Sequence, residues 1–475
     1  MNTNTTIRIV QEQVRLADPH AITDSRTLLN TRGALYDALV RRVGPGRYEP
    51  ALATEWRCEP DARTWTFNIR DDVRFHDGRL LTSADIVASI ARATSPDAGG
   101  EMATEGVMAS YFEGAQVEAL SPGQVRITMG RPMADLLDLL VDVVILPVGA
   151  VANDTPIGSG SFRLVEARDG ELVMEAFAEH WRGTPTASRL HWQAEPDAIE
   201  RAGLLMEGAF DLAIGLGPAQ QHALQQASDI ETIVSPAGLC VAFLFNAASG
   251  PCADPRVRQA LNHALDVDHV IAEVMAGSAL PTNGPFTALH AGHDPHVPRY
   301  RHDPERARSL LAEAGYGAGL QLTIDVPTRL PDEALALAGH LTQACAEIGV
   351  VVTVRAHSDR LAYARMVRAK QIADGCCFDS SPLSTYRVLR EKLHGGVAGP
   401  WWQGYANNEV DALIDQAAAT IDDDDRHALY RRAYQLIRDD APWLFLYSPS
   451  LVDGVGPALS GWQPGINGVV GFDQG

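Results

Sequence analysis

Apolar and polar positions alternate most cleanly along residues 52–93. Trp65, Phe67 and Ile69 alternate with Thr64, Thr66, Asn68 and Arg70, the period of a strand with one buried face. Glu59-Pro60-Asp61-Ala62 just ahead is turn chemistry, so two strands are expected to meet there as a hairpin. Asp77-Gly78 marks a second turn. The period then changes. Ile86, Val87 and Ile90 form the apolar stripe of a helix that Thr82 starts. Thr82 is placed to accept from the third backbone N–H, and Asp85 puts negative charge at the positive end of the helix dipole.

Helical spacing returns further on. Asp254-Pro255 and Asp303-Pro304 each read as an N-cap followed by proline at the first helical position. Val257, Leu261, Ala264 and Leu265 line the first helix; Ala307, Leu310, Leu311 and Ala314 line the second, which Gly315 closes. Val410, Leu413, Ile414 and Ala417 share a face, and Asp422 caps a last helix carrying Leu429, Tyr430, Ala433 and Ile437 up to Pro442. Strands are expected at residues 7–10, 321–326, 350–356 and 443–447. Strands interleaved with helices make the class α/β.

Length and charge narrow the picture. At 475 residues the chain is too long for one small core, and two or three domains are expected. The apolar run at residues 136–148 is broken by Asp138 and Asp142 and falls short of the roughly 18 residues of a membrane helix, so no membrane span is expected. A net charge of −21 repels phosphate backbones and argues against a nucleic-acid partner. Basic residues are nearly all arginine, Lys370 and Lys392 being the exceptions. Six cysteines without a CxxC spacing read as small core residues rather than a zinc or redox site. Met1-Asn2-Thr3-Asn4 runs straight towards the first strand with no basic and apolar leader. Either an export signal lies outside this chain or the natural protein stays inside. Neither a GxxxxGK loop nor HExxH occurs, and Gly158-Ser159-Gly160-Ser161 is not a GxSxG elbow. No enzyme activity and no cofactor are expected.

Several segments, in order, carry a family resemblance. Ala34-Leu35-Tyr36-Asp37-Ala38-Leu39-Val40 resembles "LYDGL", and Pro50-Ala51-Leu52-Ala53-Thr54-Glu55-Trp56 resembles "PALAESW". Pro156-Ile157-Gly158-Ser159-Gly160-Ser161-Phe162 resembles "PVGTGPY", and Glu179-His180-Trp181-Arg182-Gly183 its continuation. Phe245-Asn246 with residues 254–264, then residues 302–316, then Asn408-Glu409-Val410-Asp411-Ala412-Leu413 complete the series. The chain resembles the extracytoplasmic solute-binding proteins, family 5, of peptide, nickel and opine ABC importers. The resemblance implies a two-lobed periplasmic-binding-protein-like fold, type II and cluster C-like, with an extra small domain. On that reading residues 1–47, 157–237 and 443–475 build lobe I, residues 48–156 the extra α/β domain and residues 238–442 lobe II. It further implies capture of a peptide, opine or similar amino-acid-derived solute in an interlobe cleft by hinge closure, and delivery to ABC permease subunits. A monomer in the periplasm or cell envelope is expected, or a cytoplasmic protein if the chain natively lacks a signal. A cytoplasmic ligand sensor of the same fold and a nickel or metal-chelate carrier are the alternatives.

The same resemblance nominates a site. Asp379 falls where the family's acid can pair with a peptide's terminal amine, whereas Ser381 replaces the second acid of the pattern, and Cys376 and Cys377 stand where the family usually has tryptophan. Arg387 and Arg390 follow on a helix and are candidates for a ligand carboxylate. Trp401, Trp402 and Tyr405 are candidates for stacking, and Asn246 lies in a segment the family places near the cleft. No resident metal is expected. The metal-carrier alternative rests on His290, His293 and His296, whose spacing could converge on a transition metal.

Overall fold

The computed structural model describes residues 5–22, 25–100, 104–150, 156–227 and 229–472. Residues 1–4, on which the reading of the N-terminus rested, lie outside them. The chain divides into two compact units, residues 1–235 with 451–475, and residues 236–450.

In the first unit, β1 (Thr6–Gln11) is flanked by parallel partners. The strands that follow are β2 (Val40–Gly44), β3 (Arg47–Pro50), β4 (Ala53–Cys58), β5 (Thr64–Ile69), β6 (Gln116–Ser121), β7 (Gln124–Thr128), β8 (Phe162–Arg168), β9 (Glu171–Ala176), β10 (Arg189–Ala194), β11 (Leu212–Leu216) and β12 (Glu231–Pro236). A mixed sheet runs β11-β1-β10-β9-β8, with β1 parallel to β10 and β11. Ile7, Ile9, Leu190, Trp192, Leu172, Met174 and Leu212 bury its apolar face. A separate antiparallel sheet runs β4-β5-β7-β6.

That small sheet is where alternation reads most directly as structure. Trp65, Phe67 and Ile69 are buried while their neighbours on β5 are half exposed. The hairpin from β4 turns through Ala62, whose N–H reaches the Glu59 carbonyl at 2.9 Å, and Asp61 accepts from the N–H groups of Arg63 and Thr64. Helices α1 (Arg26–Leu35), α2 (Ser83–Ala93), α3 (Val107–Tyr111), α4 (Leu136–Leu140), α5 (Ala198–Met206) and α6 (Pro218–Leu224) complete the unit. The start of α2 is held by its own side chains. The Asp85 carboxylate closes this N-terminus as a capping box, Oδ2 accepting from both the Thr82 N–H and the Thr82 hydroxyl at 2.8 Å.

The second unit is a sheet in the order β16-β15-β17-β13-β18, built from β13 (Cys240–Phe245), β14 (Ala279–Pro281), β15 (Leu320–Pro327), β16 (Val350–His357), β17 (Gly375–Ser380) and the start of β18 (Trp443–Val455). β15 is parallel to both β16 and β17; β13 is antiparallel to β17 and β18. Its helices are α7 (Pro255–Ala264), α8 (Val267–Met275), α9 (Pro304–Glu313), α10 (Ala334–Glu347), α11 (Arg360–Arg368), α12 (Thr385–Lys392), α13 (Asn408–Ala418) and α14 (Asp423–Asp440). Three predicted N-caps are made: Asp254, Asp303 and Asp422 accept from Arg256, Arg306 and Asp425 N–H at 2.8, 2.8 and 3.0 Å. Val257, Leu261, Leu310, Leu311, Leu337 and Leu341 pack with Val241, Phe243, Ile324 and Cys377 into one core.

The expected return of the chain to the first lobe at residue 443 is corrected. Leu444, Phe445 and Tyr447 pair with β13, so residues 443–450 belong to the second unit and the return lies at Leu451. Strand β18 is accordingly longer than its first alternating stretch suggested. Five of the six cysteines behave as core, Cys240, Cys252, Cys345, Cys376 and Cys377 being buried free thiols; Cys58, also a free thiol, is half-buried at the end of β4.

Candidate functional site

Every nominated residue falls in the second unit, but the fold does not gather them. Register decides this. On β17, Asp379 is opposite Val241 of β13, and Gly375 is opposite Phe245. Asn246, one residue past Phe245, is therefore at the other end of the strand pair, roughly 16 Å from Asp379 at the usual rise per strand residue. Its side chain is spent there: Nδ2 donates to the Ala373 carbonyl at 3.1 Å, and Oδ1 accepts from Ala248 N–H at 3.2 Å. Tyr405 belongs to that same end. The adjoining loop bonds Ala247 N–H to the Gln403 carbonyl, and the Tyr405 hydroxyl donates to Asp440 at 2.7 Å. Burial pushes the Tyr405 phenol far up, and Asp440 adds to it. Asn246 and Tyr405 thus lie together at the end of the strand pair away from Asp379, each held by hydrogen bonds within the unit.

Alternation splits the remaining candidates. Cys377 faces the α7–α10 core, so Asp379 shares that face and Phe378 and Ser380 point to the other. On that other face Trp401 is buried against Phe378, ring centroids 5.3 Å apart. Trp402 donates its indole N–H to the Tyr405 carbonyl. Arg387 and Arg390 lie on α12 and are buried with it, Arg387 Nε donating to Glu391 at 3.2 Å. Trp401 thus packs on the face of β17 opposite Asp379. Lys392, at the end of α12, donates to Ser380 Oγ at 2.6 Å and lies 5.5 Å from the Phe378 ring centre.

The histidine run does not form a centre. His290 is buried, with Nε2 at 2.8 Å from the Pro382 carbonyl and Nδ1 beside Thr287; His293 stacks edge-on against Tyr434; His296 is exposed. Among the described residues, no group of three His, Cys, Asp or Glu side chains is placed to hold a metal ion.

Around Asp379 the structure supplies partners that sequence reasoning missed. β15, β16 and β17 run parallel, so their carboxyl ends fall on one edge, the usual place for ligand contacts in such sheets. Glu333 follows β15, Arg360 follows β16, and Asp379 ends β17. Arg360 Nη2 lies 3.5 Å from Asp379 Oδ1, while its Nε donates to the Leu330 carbonyl at 2.9 Å. Tyr447 donates to Glu333 at 2.8 Å. Asp379 is 26% exposed and Arg360 16%, so both are half withdrawn from water yet reachable. Burial raises the Asp379 carboxyl above its ordinary range, against the opposing pull of Arg360 and then Lys392. One signal could have found Arg360: it follows directly on the N-cap Asp359, where a parallel strand ends and a helix begins.

Comparison with known proteins is decisive on family. Residues 47–375, more than half of the chain, match the bacterial extracellular solute-binding proteins, family 5 Middle. The chain belongs to that family. It is 25% identical over 479 residues to the dipeptide-binding protein of Escherichia coli (strain K12), covering 94% of this chain and 89% of that protein. It is 28% identical over 429 residues to the glutathione-binding protein GsiB of Pectobacterium atrosepticum, covering 86% and 82%. Among solved structures, HbpA2 from Haemophilus parasuis superposes with a TM-score of 0.87 at 22% identity, covering 98% of both chains. NikA from Brucella suis, in complex with Fe(III)-EDTA, gives 0.84 at 21% identity, covering 99% of both. The fold is thus that of the two-lobed periplasmic binding proteins, and the chain is a solute-binding component of the ABC-importer type. Proteins of this family are extracytoplasmic and deliver solutes to ABC permeases, and among the described residues no helix is long and apolar enough to cross a membrane.

Proposed function

We propose that this protein captures an amino-acid-derived solute, a short peptide or a conjugate bearing a free amino-acid end, and that the carboxyl edge of β15, β16 and β17 contacts its charged end. The observation that carries the reading is the Asp379–Arg360 pair: an acid and a cation at one strand edge, half buried, 3.5 Å apart. Curated relatives named for dipeptides and for glutathione point to the same ligand class. Periplasmic location, a monomeric state and movement of the two units about the crossings at residues 235–236 and 450–451 belong to the same proposal. The metal-carrier alternative is not favoured, because His290 spends its ring nitrogens on Thr287 and Pro382.

A thermal-shift panel of dipeptides, tripeptides including glutathione, opines, and nickel with free histidine tests this. Saturating a binder at a hundred times its Kd adds about 2.7 kcal/mol to stability and shifts the transition upward. A shift with an amino-acid-derived member supports the proposal; a shift with the nickel–histidine sample alone, or with none, rejects it.

A further inference from the structure

Two histidines of the first unit share one wiring. His20, in the segment after β1, places Nε2 2.7 Å from the Val144 carbonyl and Nδ1 2.8 Å from Nη1 of Arg92 on α2. His76, between β5 and α2, places Nε2 2.9 Å from the Gly160 carbonyl, and its Nδ1 takes the Gly158 N–H at 3.3 Å. A guanidinium and a peptide N–H can only donate, and a carbonyl can only accept. Each ring is therefore held neutral, with its proton on Nε2 and a bare acceptor at Nδ1. A second proton would sit on Nδ1 and point at a donor. His191, His357 and His394 differ: each has a carboxylate oxygen within 3.2 Å of Nε2.

Both rings sit on the same seam. On one side are the small sheet β4-β5-β7-β6, α2 and the segment through Val144; on the other are the segments after β1 and α1 and residues 158–160 leading into β8. The Leu52 and Ile145 N–H groups cross it to the carbonyls of Ala38 and Asp37, at 3.2 and 2.9 Å. The charged neighbours do not compensate a protonated ring. Beside His20, Asp18 already takes two bonds from Arg92, at 2.8 and 2.6 Å, and Arg32 adds positive charge. Beside His76, Asp37 accepts from Ser159 and Trp181, while Arg163 and His180 oppose a charge on the ring. Burial, ahead of these charges, pushes His20 down to about 4 and His76 below its ordinary value.

We propose that His20 and His76 form an acid-sensitive latch between the small sheet with α2 and the larger sheet of the first unit, and that their protonation loosens this seam while the larger sheet stays formed. Proteins of this family are extracytoplasmic and meet the acidity of their surroundings, so the latch makes the order of the seam a response to external pH. The sign follows from linkage. Rings freed by opening bind protons first, so the seam is at full strength above about pH 6.5 and weakens as pH falls towards about 4.

Hydrogen exchange at pH 7 and pH 5, corrected for intrinsic rates, tests the latch. The open population at the Leu52 and Ile145 amides is expected to rise at least about tenfold at pH 5, since the downward shift of His20 alone carries more than one power of ten. Ile9 of β1 and Phe243 of β13 are expected to change less than about twofold. In the double variant His20→Gln, His76→Gln the seam amides should differ by less than about twofold between the two pH values, whatever their protection. Nitrogen NMR of the wild type reads the rings without any substitution, and both are expected to carry the Nε2–H tautomer at pH 7. No rise at the seam, an equal rise at Ile9 and Phe243, a rise that persists in the folded double variant, or an Nδ1–H tautomer at either ring overturns the inference.

Discussion

The β17–β13 strand pair has two ends, and they are built on opposite terms. At the end marked by Asn246, polar side chains are spent on neighbours. Asn246 ties Ala373 to Ala248, Asp374 Oδ2 takes the Thr323 N–H, and Tyr405 and Asn407 both donate to Asp440. Arg258, buried nearby, donates to the carbonyls of Cys252, Ala253, Asp440 and Ala441. At the Asp379 end the acid and the arginine meet at 3.5 Å and keep donors and acceptors in reserve. A buried polar group that is satisfied stabilises the fold; one that is left partly unsatisfied at a reachable edge costs stability and is available to a ligand.

The largest test of this contrast is Arg258→Met. It leaves four carbonyls without their shared donor, and a loss of about 3 kcal/mol or more of stability is expected in denaturant titrations. Solute affinity of the folded fraction should not change. Tyr405→Phe removes one buried hydroxyl from a carboxylate and is expected to cost about 1–2 kcal/mol, again without effect on affinity. Arg360→Gln should do the reverse: a loss of about 1.4 kcal/mol in solute binding, tenfold in Kd, with the unfolding midpoint nearly unchanged.

Asp379 gives a small stability effect and the clearest pH signature. Its folded carboxyl is raised by burial, so in the free protein its ionisation opposes folding: the contribution favours the fold at low pH and is lost as pH rises through the raised value. Asp379→Asn is therefore expected to stabilise the free protein at neutral pH, by less than about 1 kcal/mol. The ammonium contact has the opposite sign. Protonation removes the charge it needs, so affinity should fall on acidification at a pH above the ordinary carboxylate range, and Asp379→Asn should flatten that dependence.

The contrast also explains what could be read from the chain. The small sheet and α2 were legible because each rests on a local period: Trp65, Phe67 and Ile69 on one face, Ile86 and Ile90 on another. The caps at Asp254, Asp303 and Asp422 were legible because a cap is settled within three residues. Of the proposed solute contact only Asp379 was nominated from the chain, and there through family resemblance. The separation of Asn246 and Tyr405 from Asp379 was not legible, because antiparallel pairing puts the end of β13 beside the start of β17, a fact of register that no local pattern carries. Arg360 was missed for the converse reason. It meets Asp379 because two parallel strands, separated by α11, end on the same edge.

The central claim is that reserve hydrogen-bonding capacity marks the solute-contacting end of β17. The most direct measurement is calorimetric titration of the strongest binder from the solute panel into the wild type, Arg360→Gln and Tyr405→Phe. The account predicts about a tenfold loss of affinity for Arg360→Gln and less than a twofold change for Tyr405→Phe. An unchanged affinity in Arg360→Gln with a large loss in Tyr405→Phe would place the contact at the other end of the strand and contradict it.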